Sequence, residues 1–150
     1  MPARHWLGSS LLAVALASCG TAGHHPSAGT PLSGTYLVQA TFNTGKPAPA
    51  CDAVSGATVG DPVTVDDGDG NRLASGSLGA PQSSTRPADL RNLTTQLSCR
   101  WPFTTGPVPN RPSYRIGVAA NSPKAYQRAD LVNQHWNITI ELERNITDLP

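Results

Sequence analysis

Three side chains that alternate in one short stretch are of the types that bind calcium. Asp67, Asp69 and Asn71 have the spacing of the first three ligands of an EF-hand loop. A complete loop also needs glycine at its sixth position and glutamate at its twelfth, where this chain has Arg72 and Leu78. The sequence therefore predicts no EF-hand. Two interpretations stay open: a turn built from Asp, Gly and Asn, or a calcium ion completed by other loops.

One histidine in the expected folded region is a candidate general base. His135 precedes the last predicted strand, with Asp130 and Glu141 close to it in sequence as groups that could orient its ring. Ser75-Gly76-Ser77 lacks the flanking glycines of a nucleophile elbow. We therefore expect no enzymatic activity, and a small hydrolase that uses His135 is the alternative.

The sequence also disfavours zinc and glycosidase chemistry. In the expected folded region, two distant cysteines and one histidine are too few for a four-ligand zinc site. Glu141 and Glu143 are two residues apart on a predicted strand, so both carboxylates share its solvent face. We expect no metal and no cofactor.

The chain has three cysteines, Cys19, Cys51 and Cys99. A bond between Cys51 and Cys99 would close a loop of about 50 residues and stabilise a small domain by about 4 kcal/mol. We predict this disulfide as a structural cross-link in an oxidising compartment. Cys19 is then the odd cysteine and needs another role.

Cys19 follows an apolar segment, from Leu7 to Ala17, that is typical of a signal peptide and too short to span a membrane. The run Leu16-Ala17-Ser18-Cys19-Gly20 resembles the lipobox of bacterial lipoproteins. The resemblance implies that residues 1–18 are removed and that the Cys19 thiol carries a diacylglyceryl group, whose acyl chains (palmitate, for example) enter the membrane. The alternative is an ordinary secretory signal cleaved before Ser18, which would leave Cys19 as an unpaired thiol.

The charge balance is close to neutral, with 11 Lys and Arg against 10 Asp and Glu. Such a chain has no cationic field, so we expect no nucleic-acid partner. Lysine occurs only as Lys46 and Lys124, while alanine, glycine and proline are abundant. With the lipobox, this composition favours an actinobacterial origin.

The chain divides into a signal peptide (1–18), a flexible tether (19–34) and a folded domain (35–150). Short strands are predicted at 36–42, 63–65, 72–78, 99–103, 114–120 and 136–142, and residues 90–97 are a short strand or a turn. Asp66–Asn71 is the turn of a hairpin. Loops are expected at 44–50 and 79–88, and one helical turn near Ala129–Leu131.

Two of these strands carry specific expectations. Pro102 should place its strand near an edge or a bulge, because proline has no amide hydrogen to donate. The last strand alternates most clearly, with four side chains inward and four outward. The inward set is Trp136, Ile138, Ile140 and Leu142; the outward set is Asn137, Thr139, Glu141 and Glu143. The whole pattern predicts an all-β fold, an immunoglobulin-like or prealbumin-like β-sandwich of about seven strands.

A family resemblance accompanies this pattern. The run Gly60–Leu78, with Asp-Gly-Asp-Gly-Asn in its turn, resembles the hairpin of prealbumin-like and carboxypeptidase-regulatory-like domains. Trp101-Pro102-Phe103, Val108-Pro109 and Tyr114-Arg115-Ile116-Gly117-Val118 are similar to later segments of the same domains. The resemblance implies a non-catalytic accessory or stalk module. We therefore expect a lipid-anchored binding module on the extracytoplasmic face of the cell membrane, whose partners are membrane lipid and an envelope protein or glycan.

Overall fold

The computed structural model describes residues 29–145, except residues 90 and 92. The predicted signal peptide, Cys19 and the tether up to residue 28 lie outside the described residues. Most of the described chain is strand, so the predicted all-β class is confirmed. The elements are β1 (Thr30–Asn43), α1 (Cys51–Ser55), β2 (Pro62–Asp67), β3 (Arg72–Leu78), β4 (Gln82–Asp89), β5 (Thr94–Val108), β6 (Ser113–Val118), β7 (Lys124–Gln127), α2 (Arg128–Asn133) and β8 (Asn137–Asn145).

These strands form one curled sheet of mixed direction. The order is β7-β6-β2-β3-β5-β1-β8, and β4 pairs with β5 outside this path. Neighbouring strands are antiparallel except for β1 and β8, which run parallel. The long strand β5 pairs along one side with β1, and on the other side first with β4 and then with β3.

β1 begins at Thr30, earlier than the strand predicted at 36–42, so the end of the predicted tether belongs to the sheet. The physical reason is Leu32, which is fully buried on the same face as Tyr36 and continues the alternation of β1 towards its N-terminus. The Leu32 amide donates to the Thr105 hydroxyl at 3.3 Å. A single apolar residue in a polar stretch was too weak a signal to extend the predicted strand.

The inward side chains of the strands form one apolar core. β8 confirms its predicted alternation, because Ile138 and Ile140 are buried and the residues predicted to face outward are exposed. The predicted hairpin is also confirmed, with β2 and β3 paired around the turn. The largest fully buried side chains are Trp101, Tyr36, Tyr114, Leu32, Leu78, Leu97, Ile116, Leu131 and Ile138.

The loop predicted from Gly79 to Ala88 is wrong, because residues 82–89 form β4. Side chains 82–88 are all exposed, so the strand carries no apolar alternation that a sequence could reveal. Its backbone is held by antiparallel pairing with β5, for example Ser84 with Ser98. Pairing with a distant strand, rather than local preference, decides this element.

Pro102 lies in an interior strand, where the sequence predicts an edge or a bulge. β4 pairs with β5 as far as Arg100, and β3 pairs with it from Phe103. The Pro102 carbonyl accepts a hydrogen bond from the Gly79 amide at 2.7 Å, in the loop between β3 and β4. The missing amide hydrogen therefore falls where β5 changes partners, so no ladder bond is lost.

The end strands of the sheet, β7 and β8, come close to each other as the sheet curls. The Lys124 ammonium donates to the Glu141 carbonyl at 2.9 Å, which joins β7 to β8. α2 connects the same two strands and confirms the predicted helical turn. After β6, the Asn121 side chain donates to the Tyr36 hydroxyl of β1 at 3.0 Å. No helix among the described residues is both long enough and apolar enough to cross a membrane.

Candidate functional site

One concave surface of the sheet is lined by polar residues from three adjacent strands. It is an open groove of about 490 Å³, hereafter the polar groove, lined by Gln39, Thr41, Gln96, Glu143 and Arg144. Pairing aligns Thr41 of β1 with Gln96 of β5, and Gln39 of β1 with Glu143 of β8. Since the intervening residues of β1 are buried, Gln39 and Thr41 lie on the face away from the core.

Hydrogen bonds join the side chains along this face. The Arg86 Nε–H of β4 donates to Gln96 Oε1 at 2.7 Å. The Gln96 side-chain nitrogen donates in turn to Gln39 Oε1 at 3.1 Å. The outer face is therefore a built hydrogen-bonding surface that extends from β4 to β1.

The polar groove carries one acidic and one basic residue, Glu143 and Arg144. The charge of Arg144 also acts on the buried Tyr36. Burial raises the pKa of the Tyr36 hydroxyl above 10.0, and the Arg144 charge and the Asn121 hydrogen bond partly offset that rise. Among the described lining residues these two charges balance, and the Arg86 guanidinium adds a positive charge beside Gln96.

A second, more apolar concave surface lies beside the disulfide. This disulfide groove has a volume of about 480 Å³. It is lined by Ala50, Cys51, Asp52, Thr58, Val59, Pro81 and Trp101. Val59 is 63% exposed, while Trp101 is buried. Among the described residues, Trp101 Nε1 is the buried side-chain polar atom that has no hydrogen-bond partner.

The structure gives His135 a backbone role at the end of α2. Its amide donates to the Val132 carbonyl at 3.0 Å, and the Trp136 amide donates to the Leu131 carbonyl at 2.7 Å. This pair of bonds is a Schellman motif, with His135 at the left-handed position (φ 53°). In the described part of the chain, no hydrogen bond or ion pair joins the His135 ring to Asp130 or Glu141.

The carboxylate of Asp67 is engaged by hydrogen bonds within the hairpin turn. It accepts hydrogen bonds from the Asp69 amide at 3.0 Å and from the Asn71 amide at 2.8 Å. The Asn71 side chain also donates to it, at 3.0 Å. These bonds, chiefly those from Asn71, hold the pKa of Asp67 below its ordinary value of 3.8. Within residues 29–145, leaving aside 90 and 92, no cluster of three His, Cys, Asp or Glu side chains is placed to hold a metal ion.

The predicted disulfide is confirmed. Cys51, at the start of α1, is bonded to Cys99 in β5, with an S–S distance of 2.09 Å. Both cysteines are buried in the core. The bond fixes the wall of the disulfide groove and takes no part in the polar groove. Cys19, the predicted lipidation site, lies outside the described residues.

Sequence reasoning missed most of the polar groove. Glu143 appears in it only as a solvent-facing carboxylate, and Gln39, Thr41, Gln96 and Arg144 do not appear as site residues. The available signal was the pair of long amide side chains at outward positions of strands. This signal does not predict a groove until the two strands are known to be neighbours in the sheet.

Comparisons of the chain with protein families, with curated proteins and with solved structures found no match. The function must therefore be argued from the chain's own residues.

Proposed function

We propose that this chain is a lipid-anchored, extracytoplasmic module of the bacterial cell envelope that binds a partner and catalyses no reaction. The observation that carries the proposal is the polar groove, a concave surface whose side chains are already ordered by mutual hydrogen bonds. Among the described lining residues Glu143 is the single carboxylate, whereas hydrolysis of a glycosidic bond normally uses two. An ordered surface of this kind suits recognition.

The cysteines support the anchoring part of the proposal. Because Cys51 is bonded to Cys99, Cys19 is left as the odd cysteine, in a run that resembles a lipobox. Disulfides persist in oxidising compartments outside the cytoplasm, which agrees with an exported domain. Two acyl chains on Cys19 would hold the domain at the membrane, since each buried methylene contributes about 0.8 kcal/mol.

We also propose that the curled sheet is an immunoglobulin-like or prealbumin-like sandwich. Tyr114, near the start of β6, supports this arrangement. Its hydroxyl donates to the Pro109 carbonyl at 3.1 Å and accepts from the Arg111 amide at 2.8 Å. A tyrosine near a strand start that bonds back to the preceding backbone is the tyrosine corner of such sandwiches. Residues that carry the family resemblance, including Val63, Trp101 and Phe103, are buried.

An experiment with two arms tests the function. In the native host we expect the parent chain in the membrane fraction and Cys19→Ala in the medium or as an uncleaved precursor. Ser18→Ala, which keeps a small residue before the cysteine, is the matched control and should stay anchored. In the second arm, purified Cys19→Ala chain should sediment saturably with isolated envelopes and release no products from them.

Two results would overturn the proposal. Acyl labelling that persists in Cys19→Ala would remove the anchor. Absence of saturable envelope binding, or release of cleaved envelope material, would remove the binding role; the second outcome would favour the hydrolase.

A further inference from the structure

We propose that the polar groove binds a neutral, hydroxyl-bearing oligosaccharide. This inference rests on the proposed function and names the class of ligand for it. The polarity of the side-chain hydrogen bonds and the position of the groove on the sheet both favour such a ligand.

The orientation of both glutamine amides follows from Arg86. A guanidinium has donors only, so Gln96 must turn its oxygen towards Arg86 and donate with its nitrogen. Gln39 must then accept with its oxygen, which leaves its amide nitrogen as the unused donor. Among the described residues, this nitrogen has no hydrogen-bond partner. The hydrogen bonds from Arg86 to Gln96 and from Gln96 to Gln39 are hereafter called the relay. Through the relay, Arg86 orients both amides so that the Gln39 nitrogen remains as a donor in the groove.

Glu143 supplies the opposite polarity. Its carboxylate is exposed and lines the groove on the neighbouring strand, where Glu143 pairs with Gln39. An ionised carboxylate only accepts hydrogen bonds, whereas the Gln39 nitrogen only donates them. A sugar hydroxyl does both, so adjacent hydroxyls can bond to both groups at once. A simple cation or a simple anion offers only one kind of interaction, so it would leave either the Gln39 donor or the Glu143 acceptor unmatched.

The location of the groove argues against a peptide. Extended peptides usually bind to a sheet by adding a strand at an open edge and filling apolar pockets. The Gln39 and Gln96 strands are interior: β1 lies between β5 and β8, and β5 lies between β1 and β4 at this point. The backbone groups of these two strands are already paired, and none of the lining residues that the structure describes has a large apolar side chain. At Gln39, Thr41 and Gln96 only side-chain groups are therefore available to a ligand, as in the binding of sugars, while Glu143 and Arg144 lie on the end strand β8.

The binding should be weak, because none of the described lining residues has an aromatic ring to stack on a sugar face. A few net hydrogen bonds correspond to a Kd of about 1 mM. Amide NMR signals of the full-length chain, observed during titration with defined tetrasaccharides, suit this range. Two sugars serve as probes. Cellotetraose offers hydroxyl groups alone, and the tetramer of N-acetylglucosamine adds amide groups. Comparing the two shows whether hydroxyls are sufficient for binding or amides are also needed.

Two variants test the relay. Gln96→Glu turns the relay around, since a carboxylate at 96 accepts from both Arg86 and Gln39 and makes Gln39 present its oxygen instead. Gln39→Ala removes the donor. We expect each to weaken tetrasaccharide binding about tenfold. Gln82→Ala is the matched control, because Gln82 is an exposed glutamine of β4 that does not line the groove; it should bind like the parent.

The outcomes separate this inference from the function on which it rests. Saturable shifts at Gln39 and Gln96 with either sugar, lost in Gln96→Glu, are the expected result. No shift with either probe up to about ten times the expected Kd would overturn the inference. So would equal binding by Gln96→Glu. If envelope sedimentation still occurs in those cases, the binding function stands without the sugar; if it fails too, both fall.

Discussion

Two residues at the end of α2 adopt backbone angles that side chains normally avoid. His135 and Trp136 have φ values of 53° and 56°. The left-handed region costs about 1–2 kcal/mol for residues other than glycine. The bonds from their amides to Val132 and Leu131 satisfy helix carbonyls, and the Trp136 ring packs edge-on against Tyr114 at 5.7 Å. The ring packing of Trp136 and the hydrogen bonds at the helix end therefore offset the strain. The position of His135 follows from the backbone conformation at the end of α2.

His135→Gly should raise the free energy of unfolding by about 0.5–1 kcal/mol, because glycine has no Cβ to oppose the left-handed conformation. Urea unfolding of the parent and the variant measures this difference. His135→Ala is the matched control, since it removes the imidazole but keeps a Cβ, and it should not be stabilised. A loss of stability in His135→Gly would show that the ring makes contacts that matter.

At the scale of elements, the β2–β3 hairpin depends on one carboxylate. Asp67 accepts bonds from Asp69 and Asn71, and the Gly70 amide donates back to the Asp67 carbonyl at 3.1 Å. Gly70 has φ 89°, a value for which the absence of a side chain is required. Arg72 pairs with Asp66 across the base of the same turn. The residues that resemble calcium ligands thus fold the turn themselves.

Lowering the pH should weaken this hairpin through Asp67. Its pKa is lower in the folded chain, so its contribution is complete above the unfolded pKa and is lost as the pH falls through the folded pKa. Asp67→Ala should therefore lower Tm at about pH 7, and the difference from the parent should shrink towards about pH 2. Asp69→Ala is the control: the Asp69 carboxylate accepts no hydrogen bond in the described residues, so the pH dependence of Tm should match that of the parent. If the difference in Tm between Asp67→Ala and the parent were the same at low and at neutral pH, this account would be contradicted.

The sequence predicts those elements whose burial alternates strongly and cannot predict the others. β8, the β2–β3 hairpin and the turn of α2 follow from local signals. β4 does not, because its exposed residues are ordered only by pairing with β5. The parallel pairing of β1 with β8 joins the two ends of the described chain and leaves no local trace. The polar groove depends on that same pairing, so Gln39 and Glu143 could not be placed together in advance.

At the scale of the whole molecule, long-range ties close the curled sheet. Lys124 joins β7 to the Glu141 carbonyl of β8, at the two ends of the strand order. Lysine on an edge also discourages pairing with other chains. The Cys51–Cys99 bond is a second long-range tie, which joins the start of α1 to the central strand β5. The segment between the two cysteines contains β2, β3 and β4. A core of this size gains much from such a cross-link.

Removing the disulfide should destabilise the whole domain. Cys51 and Cys99 are 48 residues apart, and a loop of that length corresponds to about 4 kcal/mol in the chain-entropy account. For a domain of this size the double variant Cys51→Ala, Cys99→Ala should melt roughly 10–15 °C below the parent, measured by circular dichroism. Reductant should lower the Tm of the parent to a similar extent and leave the double variant unchanged. Cys19→Ser, which removes the third cysteine alone, is the matched control and should melt like the parent. An unchanged Tm of the parent in reductant would contradict the role given to this bond. Two or more free thiols in the parent, unfolded without reductant, would contradict it as well.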